Sequence, residues 1–155
     1  MKIIVGLALF FSLCGIGNAQ TQSSAKEFSD RLGEKSDVLS RINLNVLQMS
    51  GGVSIHDGYA GMAAHAATNT YHEEVESILI LSAIYSRMID ERDIKTVKIS
   101  LDISCEYAKK RGESIAEAFN KILPTIQSAA LVNEVTKLRD ANISILQTLE
   151  FCKTN

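Results

Sequence analysis

Hydrophobic residues recur every three or four positions between residues 24 and 49, which is the spacing of one face of an α-helix. Lys35 falls on the same stripe, and we expect its stem to cross the helix seam with its ammonium group in water. The pattern predicts a first helix from Ser24 to Gln48. The apolar members of the stripe are Phe28, Leu32, Leu39, Ile42, Val46 and Met49.

Helical spacing continues through most of the chain. The segment from Thr70 to about Arg92 is apolar on most of its circumference, so we predict that it is the central helix. Stretches that begin at Ser24, Thr70 and Ser114 match the capping box, in which a hydroxyl residue is followed three positions later by Glu. The chain holds a single proline, Pro124, which also favours helices over a strand-and-turn architecture.

Residues 97–105 fit two structures. Apolar and polar residues alternate strictly there, which is typical of a half-buried strand, and residues 143–151 offer a partner. However, no hairpin turn flanks the segment, and the residues after it look helical up to a Gly112 cap. We therefore predict a helix packed on both sides, within an all-α bundle of four or five helices. An α+β fold with a small sheet from these two segments stays open.

The stretch from Ser50 to Gly61 is interpreted as a loop. Its first residues include two adjacent glycines, and Asp57-Gly58 is a turn dipeptide. Loops of this kind on a rigid scaffold often carry recognition. The candidate recognition residues are Ile55, His56, Asp57 and Tyr59.

The first residues carry the features of a signal peptide. Lys2 supplies a positive start, residues 3–16 are largely apolar, and Gly17-Asn18-Ala19 resembles a cleavage site. The apolar run is shorter than the roughly 20 residues that cross a bilayer. We predict a signal peptide over residues 1–19 and a single domain over residues 20–155 in the periplasm or outside the cell.

Cysteine usage agrees with export. Cys14 leaves with the predicted signal peptide, and the remaining Cys105 and Cys152 are predicted to form a disulfide. Such a bridge is worth about 4 kcal/mol by the chain-entropy argument. It also requires the two Cα atoms to approach closely, so the chain must reverse between Pro124 and Asn142.

The charge balance argues against two classes of partner. The chain has 16 Lys and Arg against 18 Asp and Glu, and no basic run. It therefore lacks the electrostatic footprint that nucleic acids and anionic lipids require. No segment after the signal peptide is apolar for long enough to predict stable membrane insertion.

No catalytic motif outweighs an ordinary structural explanation. We find no Cys-x-x-Cys pair, nucleophile elbow or phosphate-binding glycine loop, so no enzyme activity and no cofactor are predicted. His65 and His72 are weak candidates for a metal site, because they are seven residues apart and lack a completing cluster. Residues 142–144 also form a formal acceptor triplet for glycosylation.

These observations leave two classes of function. The preferred hypothesis is a non-enzymatic protein-interaction module, such as an inhibitor, immunity factor, adaptor or chaperone, whose partner is another protein. The alternative is a helical bundle that binds a small ligand or a metal between its apolar second helix and the neighbouring helices. Whether the chain forms a homo-oligomer stays open.

Overall fold

The computed structural model describes the backbone of residues 4–88 and 91–153 and the side chains of residues 23–88, 92–150 and 152. Within these residues the chain forms four α-helices and two short 3₁₀ helices, and no strand. The α-helices are α1 (Ile4–Ser50), α2 (Ile55–Tyr85), α3 (Glu91–Ile122) and α4 (Ala129–Thr148), and the 3₁₀ helices are Leu123–Thr125 and Leu149–Lys153. The predicted all-α bundle is confirmed, and the alternative with a small sheet is wrong.

The helices pack as a ring in chain order. α1 lies against α2 and α4, and α3 lies against the same two helices, while few contacts cross the middle between α2 and α4. The short connections make consecutive helices antiparallel. The C-terminal end of α1, the start of α2 and the start of α4 therefore meet at one end of the bundle.

The core consists of one apolar stripe from each helix. On α1 the stripe is the predicted one, with Phe28, Leu32, Leu39 and Val46 buried. Tyr71, Val75 and Ile78 of α2 face it, and α4 closes the core from the other side. Buried residues recur every three or four positions along each helix, so the burial pattern by itself indicates four packed helices. The buried members of α4 are Leu131, Val135, Leu138 and Ile145.

The predicted helix starts are wrong. Ser24, Thr70 and Ser114 all lie inside helices, and the hydroxyls of Thr70 and Ser114 donate to carbonyls one turn back, at 3.3 and 3.0 Å. This back-bonding is what a hydroxyl does in a helix interior. The real N-caps are Ser54 and Ser128, whose side chains accept from the backbone N–H of Asp57 and Leu131.

Residues 97–105 belong to α3, but only one side of this segment is packed. Leu101 and Cys105 are buried one turn apart, whereas Ile99 and Ile103 face solvent. The predicted Gly112 cap is also wrong, because α3 continues to Ile122. A Cβ at Gly112 would lie 2.9 Å from the Tyr71 hydroxyl oxygen, so this glycine allows α3 to approach α2.

The disulfide between Cys105 and Cys152 is present, with the two Cα atoms 6.1 Å apart. It joins α3 to the 3₁₀ helix that follows α4. The chain reverses between Leu123 and Ser128, at the start of the predicted range, because Pro124 ends the hydrogen-bonded run of α3. The C-terminal segment is thus stapled to the helix that contains Cys105, as predicted.

The predicted signal peptide, residues 1–19, lies outside the residues whose side chains are described, and it stays a prediction. Over the part of the chain with described side chains, none of the helices has an apolar stretch long enough to cross a membrane.

Candidate functional site

The predicted recognition loop is mostly helix. Only residues 51–54 connect α1 to α2, and the four candidate recognition residues form the first turns of α2. Ile55 and Tyr59 point outward, with 81% and 67% of their surface exposed, and His56 is exposed as well. The interpretation as a loop is therefore wrong, but the residues with large side chains are accessible.

Asp57 has a structural role instead. Its side chain is buried, and its two carboxylate oxygens accept the backbone N–H groups of Gln127 and Ser128 at 2.9 and 2.8 Å. The hydrogen bond from Gln127 is the main reason why the pKa of Asp57 is lowered from its ordinary value. A negative charge is also favoured at the N-terminal end of α4. Asp57 therefore ties the start of α2 to the start of α4.

Two glycines bring α1 and α2 into backbone contact at the same end. A Cβ at Gly58 would lie 2.8 Å from the carbonyl oxygen of Ser50, and one at Gly61 would overlap the Ser50 hydroxyl. Ser50 is buried there, and its hydroxyl donates to the Val46 carbonyl at 2.7 Å. The glycines that suggested a flexible loop are packing residues, and they make this end rigid.

At this end, α1 and α2 expose several large apolar side chains. On α2 the exposed residues follow one another at helical spacing, and on α1 they lie in the last two turns, beside the start of α2. We call this surface the corner patch. Its residues are Leu44, Leu47, Ile55, Tyr59 and Met62.

The corner patch also lies within a stretch that exposes no Asp, Glu, Lys or Arg. From Ile42 to His72 the chain contains a single such residue, Asp57, and its side chain is buried. Charged residues make up 22% of the whole chain, so this gap is marked. It could have been found in the sequence, and it would have added Leu44, Leu47 and Met62 to the predicted recognition residues.

The two histidines considered as metal ligands bond separately to α1. The Nδ1 atom of His65 lies 3.3 Å from the carbonyl oxygen of Asn43, to which it donates. The Nε2 atom of His72 lies 3.0 Å from the Ser36 hydroxyl. Within the described residues, no group of three or more His, Cys, Asp or Glu side chains is arranged to hold a metal ion.

Ser36, His72 and Glu76 form a cluster that resembles a catalytic arrangement in composition only. The Ser36 hydroxyl donates to Oε1 of Glu76 at 2.9 Å and accepts from His72, whereas a nucleophilic serine donates to an imidazole. Only 1% of the Ser36 surface is exposed, so a substrate has no access to the hydroxyl oxygen. The cluster is a polar contact between α1 and α2.

A second accessible feature is a cavity of about 350 Å³ between α1 and α4, far from the corner patch. Contrary to the prediction, the ammonium group of Lys35 is not left to water, since it donates to the Ser144 carbonyl and the Thr148 hydroxyl. The residues that line the cavity are Phe28, Arg31, Lys35, Gln147 and Thr148.

Asn142, the formal glycosylation acceptor, is buried inside α4 and cannot be modified in the folded protein.

Comparison of the chain with protein-family models, with curated proteins and with solved structures finds no match. The fold and the surface therefore define its class: a four-helix, disulfide-linked bundle with an apolar corner.

Proposed function

We propose that this chain is an exported, non-enzymatic protein-interaction module that docks another protein through the corner patch. An inhibitor, an immunity factor, an adaptor and a chaperone are all modules of this kind. The observation that carries the proposal is the set of five exposed apolar side chains on a stretch with no exposed formal charge. Contiguous exposed apolar patches of this type mark interaction sites on soluble proteins.

The composition of the corner patch resembles the centre of a protein interface. Aromatic residues and Met are enriched in such centres, and charged residues are depleted. Tyr59 and Ile55 have the largest exposed fractions among the apolar side chains of the patch and are the natural anchors. Met62, one turn beyond Tyr59 on α2, supplies an adaptable side chain beside them.

Rigidity favours binding at this end of the bundle. The contact of Gly58 and Gly61 with Ser50 and the hydrogen bonds of Asp57 hold the first turns of α2 in one position. A surface that is already ordered loses less conformational entropy when a partner binds. The corner patch is therefore preorganised.

Export to the periplasm or the extracellular space is part of the proposal. It is supported by the predicted signal peptide and by the Cys105–Cys152 disulfide, because disulfides persist mainly in oxidising compartments. The alternative function as a ligand-binding bundle has one supporting observation, the cavity between α1 and α4, whose described lining does not include α2, beside which the pocket was predicted. A metal-binding role has less support, because His65 and His72 each bond to a different residue of α1.

The test compares two tyrosines with the same exposed fraction, 67%, on different helices. A photo-crosslinking amino acid replaces Tyr59 in one variant and Tyr107, which lies on α3, in the other. Both variants are irradiated in the cells that produce the protein. We expect a discrete adduct with another protein from position 59 only, and its loss when Ile55→Ser is added.

Three results would contradict the proposal. Equal labelling from both positions, or none from position 59, would mean that the corner patch is not a specific interface. An adduct of position 59 with a second copy of this chain would show that the patch serves self-association rather than a different partner.

A further inference from the structure

The cavity between α1 and α4 has an unusual set of charges. Among the residues whose side chains the structure describes, its lining includes two cations, Arg31 and Lys35, and no acidic residue. The acidic residues one turn from Arg31 on α1, Glu27 and Glu34, are exposed and are not among the described lining residues. Its volume, about 350 Å³, lies at the lower end of the range for small-molecule sites, roughly 300 to 1,000 Å³.

Lys35 is held at the cavity by neutral groups. Its ammonium nitrogen lies 2.9 Å from the Ser144 carbonyl oxygen and 2.6 Å from the Thr148 hydroxyl oxygen. The side chain is half-buried, and it forms no ion pair within the described residues. An ammonium group has three N–H donors, and these two hydrogen bonds use two of them. One donor and the whole positive charge remain for a ligand.

Arg31 lies one turn before Lys35 on the same face of α1. Its Nε atom donates to the Glu27 backbone carbonyl at 3.4 Å, and within the described part of the chain its guanidinium makes no ion pair either. Like charges four residues apart on a helix repel each other. An anion between the two side chains replaces this repulsion with two attractions, and a guanidinium suits carboxylate and phosphate oxygens.

We propose that this cavity binds a small organic anion, with its carboxylate or phosphate group between Arg31 and Lys35. Phe28 closes the floor of the cavity with only 1% of its surface exposed, so the body of the ligand lies against the side-chain stems of Arg31 and Lys35, while Gln147 and Thr148 supply polar contacts from α4. This binding is separate from docking at the corner patch, which lies at the other end of the bundle.

The test uses benzoate and phenyl phosphate as probes of the purified protein. Binding is measured by titration calorimetry and by the backbone amide chemical shifts of Gln147 and Thr148. Inorganic phosphate and vesicles that contain an anionic phospholipid distinguish the source of the anionic group. We expect saturable binding of the organic probes, about tenfold tighter than that of inorganic phosphate, with shifts at both amides.

Arg31→Gln is the decisive variant, because Arg31 is exposed and its loss leaves the fold intact. We expect it to weaken binding of both probes about tenfold. Lys26→Gln removes the same charge from an exposed position on α1 outside the cavity, and it should leave binding unchanged. Thermal unfolding of both variants checks that they remain folded.

Four results would overturn the proposal. They are an equal loss of binding in the two variants, binding of inorganic phosphate as tight as that of the organic probes, binding to vesicles alone, and titration without amide shifts at Gln147 and Thr148.

Discussion

The two ends of the bundle are built in opposite ways. At the corner, α1 meets α2 through Ser50, Gly58 and Gly61, whose small size lets the two backbones touch. At the other end, α1 meets α4 through Lys35, a long side chain that bonds to two groups on α4 and borders a cavity. The stretch from Ile42 to His72, which carries the corner patch, exposes no Asp, Glu, Lys or Arg, whereas two cations line the cavity.

This difference shows that the size of the side chains between two helices affects the kind of surface that forms beside them. Close backbone contact leaves no space between α1 and α2 at the corner, and the side chains of the corner patch lie on the outward faces of these helices. At the other end, the long side chain of Lys35 lies between α1 and α4 and borders a cavity that contains positive charge. The cavity end is also held by a covalent link, because Cys152 lies one turn beyond Thr148.

The largest expected effect concerns that covalent link. The disulfide joins residues 47 positions apart, and reduction should lower the free energy of unfolding by about 4 kcal/mol by the loop-entropy argument. Urea unfolding with and without a reductant measures the change. Cys152→Ala is the control, since reductant should have no further effect on it. A loss below about 1 kcal/mol would show that packing, rather than the link, holds the cavity end.

Adding a single methyl group at Gly58 should lower the stability of the corner end strongly. Gly58→Ala places a Cβ against the backbone carbonyl of Ser50, which cannot rotate away, and overpacking of this kind costs about 2 to 3 kcal/mol. Gly33→Ala is the matched control, because its Cβ would meet only the Leu79 side chain at 3.8 Å. That change should stabilise the helix by about 0.5 to 1 kcal/mol. Equal stability of the two variants in urea would refute the close contact.

Asp57 makes the stability of the corner depend on pH. Because its pKa in the folded protein is lowered from 3.8, its contribution to stability is complete above that pH and is lost as the pH falls through the folded-state pKa. Asp57→Asn should therefore destabilise the protein at neutral pH, and the difference should shrink below pH 3.8. Urea unfolding from pH 7 to pH 2.5 measures this, with His56→Ala as a control that keeps both backbone hydrogen bonds. A constant difference would contradict the role of the carboxylate.

Periodicity in the sequence predicted the core and the cysteine count predicted the disulfide, but the helix starts and the first connection were predicted wrongly. The stripe from Phe28 to Val46 is visible because burial of one helix face imposes its spacing on the sequence. The helix starts predicted at Thr70 and Ser114 were wrong, because a hydroxyl residue followed three positions later by Glu occurs both at helix starts and inside helices. Inside a helix the hydroxyl donates to a backbone carbonyl of the preceding turn. Local pattern does not distinguish the two cases.

The candidate site was only partly predicted, and the reason is again that a local pattern does not report contacts with distant residues. Gly58, Gly61 and Gly112 act through residues far along the chain or on another helix, and no local signal separates a packing glycine from a turn glycine. Asp57 likewise bonds to groups 70 and 71 residues away. Ile55 and Tyr59 are exposed, as recognition residues must be, whereas Leu44, Leu47 and Met62 were not predicted, because only the lack of neighbouring charged residues marks them in the sequence.

The smallest expected effect on stability is the one that separates the corner patch from the core beneath it. Ile55→Ser together with Tyr59→Ser changes two side chains that are mostly exposed, so the free energy of unfolding should change by no more than about 0.5 kcal/mol. Leu39→Ala, on the buried face of α1, should cost about 2 to 5 kcal/mol in the same urea titration. A small effect in the double variant means that the folded chain does not need these side chains for its own stability, which is expected of residues kept for a partner. A loss above about 1 kcal/mol would instead mean that the patch packs within the protein itself, and the docking surface would have to be sought elsewhere.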